Sequence, residues 1–204
     1  MKSKLIVFKQ LALLILLLGC GPAEELPIDF QLIEGENIVL DSGFSQGAAW
    51  GDFDNDGHED LFVTNSWTNG NNYLYKNNGD GTFESIANVI LSNDGGNSNG
   101  CSWGDLDNDG DLDLFVANVN NQNNFLYLNS GNGSFEKLKS ADAATDGGWT
   151  YTGSWTDFNN DGWLDLFVGN YKEQSNYLYQ NDGSGNLIRI DDSEISKEKK
   201  STQG

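Results

Sequence analysis

Basic residues are scarce in this chain. It carries 11 Lys and Arg against 31 Asp and Glu, a formal charge of −20 at pH 7. So acidic a molecule repels polyphosphates and anionic bilayers, which excludes nucleic acid as a partner. Cysteine is nearly missing, with two copies, and there is one histidine, His58. An internal disulfide framework is excluded, and so is a thiolate–imidazole metal site. Long apolar runs are missing as well. Leu11 to Leu18 falls short of the ~20 residues that cross a bilayer as a helix.

What is present is a block that occurs three times. Trp50 to Asn65 reads WGDFDNDGHEDLFVTN, Trp103 to Asn118 reads WGDLDNDGDLDLFVAN, and Trp155 to Asn170 reads WTDFNNDGWLDLFVGN. The tryptophans stand 53 and 52 residues apart (103−50, 155−103). A fixed period of this length marks a repeat architecture.

Each block sets oxygen side chains at loop positions one, three, five and nine. These are Asp52, Asp54, Asp56 and Asp60; Asp105, Asp107, Asp109 and Asp113; and Asp157, Asn159, Asp161 and Asp165. Carboxylates this close repel unless a cation lies among them. Oxygen ligands without sulfur or imidazole point to Ca²⁺, and a flexible ring of them suits Ca²⁺ better than Mg²⁺. Gly57, Gly110 and Gly162 stand where a tight turn around an ion needs positive φ. Position seven is His58, Asp111 or Trp163, and that variety fits a ligand that is only a backbone carbonyl. The loop opens like an EF-hand but closes otherwise. Position twelve is Val63, Val116 or Val168, where an EF-hand has glutamate. An Asx-rich turn without metal is the alternative.

The spacing predicts four strands per repeat. In the first copy they are Ala48 to Phe53, Leu61 to Asn65, Tyr73 to Asn77 and Phe83 to Ile86. The acidic loop joins the first two, and an Asn/Gly hairpin turn joins the last two. Asp80 in that turn reads as turn chemistry, since its equivalents are Asn132 and Ser184. Phe30 to Ile33 reads as a lone fourth strand. Cys101 reads as a small packed residue.

The parts DFDNDGHED, DLDNDGDLD and DFNNDGWLD, with NYLYKNNGDGTFE, NFLYLNSGNGSFE and NYLYQNDGSGNLI downstream, resemble the FG-GAP or VCBS repeats, also found in integrin α-subunits. The resemblance spans about residues 30–192. It implies an all-β fold of propeller blades, each a four-stranded antiparallel repeat with Ca²⁺ in an early interstrand loop. The blades fall at about 48–86, 101–138 and 153–190. Asn159 departs from the pattern and lowers the charge of the third loop.

Residues 1–19 read as a secretion signal, with Lys2, Lys4 and Lys9 ahead of an apolar run. Leu17-Leu18-Gly19-Cys20 resembles the bacterial lipobox. That implies cleavage before Cys20, lipidation of its sulfur, and residues 20–29 as a tether. Gly21 is not the aspartate of inner-membrane retention, so the outer membrane or cell surface is expected. Three repeats fall short of the four to eight blades of a closed propeller. Residues 193–204 read as the approach to a further repeat, in a chain that is part of a larger propeller. Association of short copies into a ring is the rival reading.

These features predict a calcium-binding, surface-anchored, non-catalytic module for adhesion to a protein or glycan. A structural spacer in an envelope assembly, or the non-catalytic part of a larger secreted enzyme, are the alternatives. No clustered nucleophile, base and oxyanion donor supports catalysis by this segment. Trp67, Trp149 and Trp163 break the repeat and are candidates for exposed contacts, including sugar rings.

Overall fold

The computed structural model describes residues 37–66, 70–87 and 89–191. The signal segment, Cys20, the strand expected at Phe30, Trp67 and residues 192–204 lie outside them. The described chain is all-β. It holds three four-stranded antiparallel sheets, one helical turn at Asn37–Leu40, and two short 3-10 turns at Ile90–Ser92 and Asp142–Ala144.

The first sheet is β1 (Ser45–Gly51), β2 (Asp60–Asn65), β3 (Tyr73–Asn77) and β4 (Phe83–Ser85). The second is β5 (Ser98–Gly104), β6 (Asp113–Asn118), β7 (Phe125–Asn129) and β8 (Phe135–Lys137). The third is β9 (Thr150–Thr156), β10 (Asp165–Asn170), β11 (Tyr177–Asn181) and β12 (Leu187–Arg189). In each sheet the strands pair in chain order, as in a propeller blade. The inner strand stops at Gly51, ahead of the expected Phe53. Asp52 causes this: its carboxylate accepts the N–H groups of Asp56 and Gly57 and bends the chain out of the ladder. The fourth strand ends at Ser85, although the Ile86 N–H still donates to the Leu74 carbonyl at 2.8 Å.

The core lies between blades. Phe53, Phe62 and Leu74 of the first meet Leu114, Val116, Phe125 and Tyr127 of the second. Phe115 and Leu126 of the second meet Leu166, Val168, Tyr179 and Leu187 of the third. One blade therefore packs its two faces against two neighbours. That is why the Leu-Phe-Val runs are apolar without alternation. In the middle blade all of β6 is buried, whereas Val63 in β2 and Phe167 in β10, each on an end blade, are only part-buried.

Tryptophan makes the seam. The indole N–H of Trp103 donates to the Ala49 carbonyl, and that of Trp155 to the Ser102 carbonyl, each at 3.3 Å. Their rings lie on Gly51 and Gly104, where an added Cβ would come within 2.7 Å of the indole. The third copy has Thr156 at this position. Its outward face is thus not shaped to take a tryptophan in the same way. Trp50 on the first blade is 47% exposed and Phe158 on the third is 41% exposed, while Phe53 and Leu106 at the Phe158 position are 4% and 0% exposed.

Candidate metal centre

Three loops, at 52–59, 105–112 and 157–164, emerge from the same end of the blades. Each is built alike. Asp52 accepts the Asp56 and Gly57 N–H groups at 3.0 and 2.8 Å. Asp105 accepts those of Asp109 and Gly110, both at 3.1 Å. Asp157 accepts those of Asp161 and Gly162 at 3.1 and 2.9 Å. The position-five carboxylate then accepts the N–H two residues on, from His58, Asp111 and Trp163 in turn. Gly57, Gly110 and Gly162 have φ of 88°, 94° and 91°, a conformation that glycine adopts freely.

This scaffold gathers oxygens. Asp52, Asp54 and Asp56 bring carboxylate atoms within 4.8 Å of one another, and Asp105, Asp107 and Asp109 do the same. Asp54 Oδ1 and Asp107 Oδ1 are buried and have no hydrogen-bond partner. A buried carboxylate oxygen left unpaired is costly. Burial, then the neighbouring Asp109, push the Asp107 carboxyl above its ordinary range. Clustered hard oxygens with an orphan among them fit a Ca²⁺ ion. In the third loop, Asn159 accepts the Asp161 N–H at 2.9 Å and donates its amide to Asp161 Oδ2 at 2.7 Å.

Position nine has another task. Asp60, Asp113 and Asp165 are fully buried. Each accepts one N–H from its own loop, from Phe53, Leu106 or Phe158, at 2.7 to 3.1 Å. Each accepts another from the end of the third strand, from Asn77, Asn129 or Asn181, at 2.7 to 2.9 Å. These carboxylates rivet loop to strand, and each oxygen keeps one further lone pair. Desolvation raises the Asp60 carboxyl to about 6 and the Asp113 carboxyl to about 7, and raises Asp165 as well.

The variety at position seven also has a steric reason. Its side chain turns out of the loop onto a hairpin glycine: His58 onto Gly79, Asp111 onto Gly131, Trp163 onto Gly183. Asp80 accepts the backbone and hydroxyl hydrogens of Thr82, at 3.0 and 2.6 Å, and closes its turn. Cys101 packs in the core between the first two blades, and burial pushes its thiol up to about 12, far from a reactive thiolate.

Three features were not visible in the acidic motif itself. The Lys76 ammonium binds Asp54 and lies 2.6 Å from Asp56, so the first loop has a tethered cation. The Asp54 carboxylate, then Asp56, hold that ammonium well above the usual lysine range. The equivalent residues are Leu128 and Gln180. Position four links neighbouring loops: the Asn55 amide donates to Asp111 at 2.5 Å, and the Asn108 amide to the Gly162 carbonyl at 2.9 Å. Asn129 and Asn181 donate to the Phe53 and Leu106 carbonyls of the preceding blade, both at 2.7 Å. The recurrence of these asparagines in every copy was the available signal; Lys76 gave none.

No curated protein matches the chain. Among solved structures it is similar to an Agrocybe aegerita lectin described as specifically recognising non-reducing terminal N-acetylglucosamine, at 22% identity and a TM-score of 0.45. That match covers 69% of this chain and 36% of the lectin. The FG-GAP-like repeat model matches three times, over residues 52–116, 105–168 and 157–203. Those matches start on the first aspartate of each acidic loop and together span most of the sequence, so the chain belongs to the FG-GAP-like repeat family.

Proposed function

We propose that this chain is a calcium-stabilised, surface-anchored segment of a propeller that acts as a non-catalytic binding module for a protein or glycan. The observation that carries the calcium reading is the buried, unpartnered Asp54 and Asp107 oxygen in two copies of one oxygen cluster. Bound Ca²⁺ would supply positive charge that offsets carboxylate repulsion. Asp52, Asp54 and Asp56 would hold it in the first loop, Asp105, Asp107 and Asp109 in the second, and Asp157, Asn159 and Asp161 in the third. The position-seven carbonyls of His58, Asp111 and Trp163 and the free lone pairs of Asp60, Asp113 and Asp165 would complete the shells. The protein's own part is to hold the carboxylates of positions one, five and nine on backbone N–H groups and so to fix the cluster that the Asp54 and Asp107 oxygens face.

Calcium alone does not end the acidity. Removing Lys2, Lys4 and Lys9 with the leader takes the charge from −20 to −23 (−20−3). Three ions would return +6 and leave about −17. Calorimetric titration with CaCl₂ tests the reading. Saturable binding at about 10⁻⁴ to 10⁻³ M, the range of extracellular modules, is expected. No binding at 10 mM would defeat it. Anchoring is a separate arm: Cys20→Ala should move the expressed protein from the membrane fraction to the soluble one.

A further inference from the structure

The ends of the blades away from the acidic loops form a cleft of about 430 Å³, within the usual size of ligand pockets, roughly 300–1,000 Å³. All three blades contribute. Phe44 and Gln46 come from the first, Asn99 and Asn120 from the second, Trp149 and Tyr151 from the third. These are equivalent places in the repeat. Phe44, Asn97 and Trp149 share one position; Gln46, Asn99 and Tyr151 share the next but one; Ser66, Val119 and Tyr171 share a third.

No two copies agree at any of these positions, yet the backbone there is held identically. The Ser66 N–H donates to the Phe44 carbonyl, Val119 to Asn97, and Tyr171 to Trp149, at 3.0, 2.9 and 2.8 Å. A scaffold repeated three times thus presents three different sets of side chains at one spot. Packing does not demand that variety, since the same packing tolerates all three. In a repeat array the parts that differ between copies often map to the binding face, and here three of them meet in one cleft.

The chemistry of the lining narrows the ligand. It offers aromatic rings and primary amides, and none of the lining residues is a carboxylate, in a chain with 31 acids. An anion is repelled by the overall charge. A cation finds no carboxylate partner in the lining. Amides both donate and accept hydrogen bonds, which suits hydroxyl groups. Aromatic faces suit the apolar face of a ring. The aromatics are also fixed in place. The Lys172 ammonium covers one face of the Trp149 ring, 3.0 Å from its centroid, and leaves the other face to a ligand, while the Trp149 backbone N–H donates to Gln174 at 2.8 Å and Tyr151 leans on Tyr171 at 5.0 Å between ring centroids. Preorganised contacts of this kind lose little entropy on binding.

We propose that this cleft binds a neutral saccharide ring, with Trp149 and Tyr151 as the stacking surface and Gln46, Asn99 and Asn120 as hydrogen-bonding groups. The assignment rests on the reading of the chain as a binding module and gives that module its ligand class.

The test probes the full chain, in calcium buffer, on an array of neutral hexose and N-acetylhexosamine oligosaccharides, with a peptide array in parallel. Saturable binding to a neutral saccharide is expected. Trp149→Ala should weaken it by about 30-fold or more, the scale of a truncated tryptophan anchor. Trp149→Phe should retain most of it, and Gln46→Ala, at an exposed site, should lose several-fold. All three should melt like the parent. Retention of no saccharide, retention of peptides only, or saccharide binding indifferent to Trp149→Ala and Gln46→Ala would overturn the assignment. If saccharides fail while CaCl₂ titration of the loops succeeds, the cleft assignment falls and the scaffold reading stands. If the titration is flat, the scaffold reading falls whatever the array shows.

Discussion

The two ends of each blade are made from the same strands, and the side chains that stay open at one end repeat while those that line the cleft at the other do not. At the acidic end the chain repeats itself: Asp, Asp or Asn, Asp, Gly and Asp return at the same offsets, with the same hydrogen bonds at nearly the same lengths. At the far end the asparagines that close the second strands return with their hydrogen bonds, from the Asn65, Asn118 and Asn170 N–H groups to Asn72, Asn124 and Asn176, but the side chains that line the cleft do not return. Repetition marks what every blade needs in order to stand. Variation marks what the assembly uses once. The lesson is physical: a residue that rivets a loop has one solution, whereas a residue facing a cleft is constrained only by what enters it.

The sharpest way to break this comparison is to cut a rivet. Asp113→Ala leaves the buried N–H groups of Leu106 and Asn129 without an acceptor. At about 1–3 kcal/mol for each orphaned group, the loss should be about 2–6 kcal/mol in urea unfolding. Gln46→Ala, at an exposed site in the cleft, should stay within about 0.5 kcal/mol. Equal losses at both ends would erase the distinction.

A smaller effect follows from titration at the acidic end. Asp60 and Asp113 have folded values of about 6 and about 7, raised above the ordinary carboxylate value by desolvation. Without calcium the folded state then binds more protons than the unfolded state between about pH 4 and 7. Their contribution is full below about pH 4 and is lost as pH rises through 6 to 7. In chelator, unfolding free energy should therefore be lower at pH 7.5 than at pH 5. In calcium, which favours the ionised carboxylates, the gap should narrow. A calcium-free protein that gains stability from pH 5 to 7.5 would contradict the assignment.

The smallest expected effect separates one acidic loop from the next. Charges at positions one, three and five sum to −3 in the second loop. They sum to −2 in the first once Lys76 is counted, and to −2 in the third because of Asn159. The second loop should load first. Lys76→Leu, which copies Leu128, and Asn159→Asp should each tighten their own site by about tenfold. Calorimetric titration of each variant checks this, and an unchanged isotherm for both would show that the local charge count does not set affinity.

Much of this was legible in the sequence, for a reason the three copies make plain. A period near 50 residues fixed the blades, and Tyr73–Asn77 is a strand with the expected bounds. The oxygen clusters Asp52–Asp54–Asp56 and Asp105–Asp107–Asp109 followed from spacing alone. What stayed hidden depends on geometry between elements. Nothing in the motif says that Asp60 spends a lone pair of each oxygen on backbone amides, because one of those amides belongs to Asn77, 17 residues away. Lys76 occurs in one copy only, so periodicity is blind to it. The change from Gly51 and Gly104 to Thr156 is visible in the sequence, but its meaning needs the indoles of Trp103 and Trp155 lying on the two glycines.

The central claim is that the acidic ends are held by a divalent cation rather than merely decorated by acids. The most direct measurement is the melting temperature across a calcium series, from excess chelator to 10 mM CaCl₂, with MgCl₂ as the control for ionic strength. Sites with constants of 10⁻⁴ to 10⁻³ M should each add about 1.4–2.7 kcal/mol at the top of the series, so Tm should climb steadily with calcium and much less with magnesium. A Tm that stays level from chelator to 10 mM calcium would contradict the account.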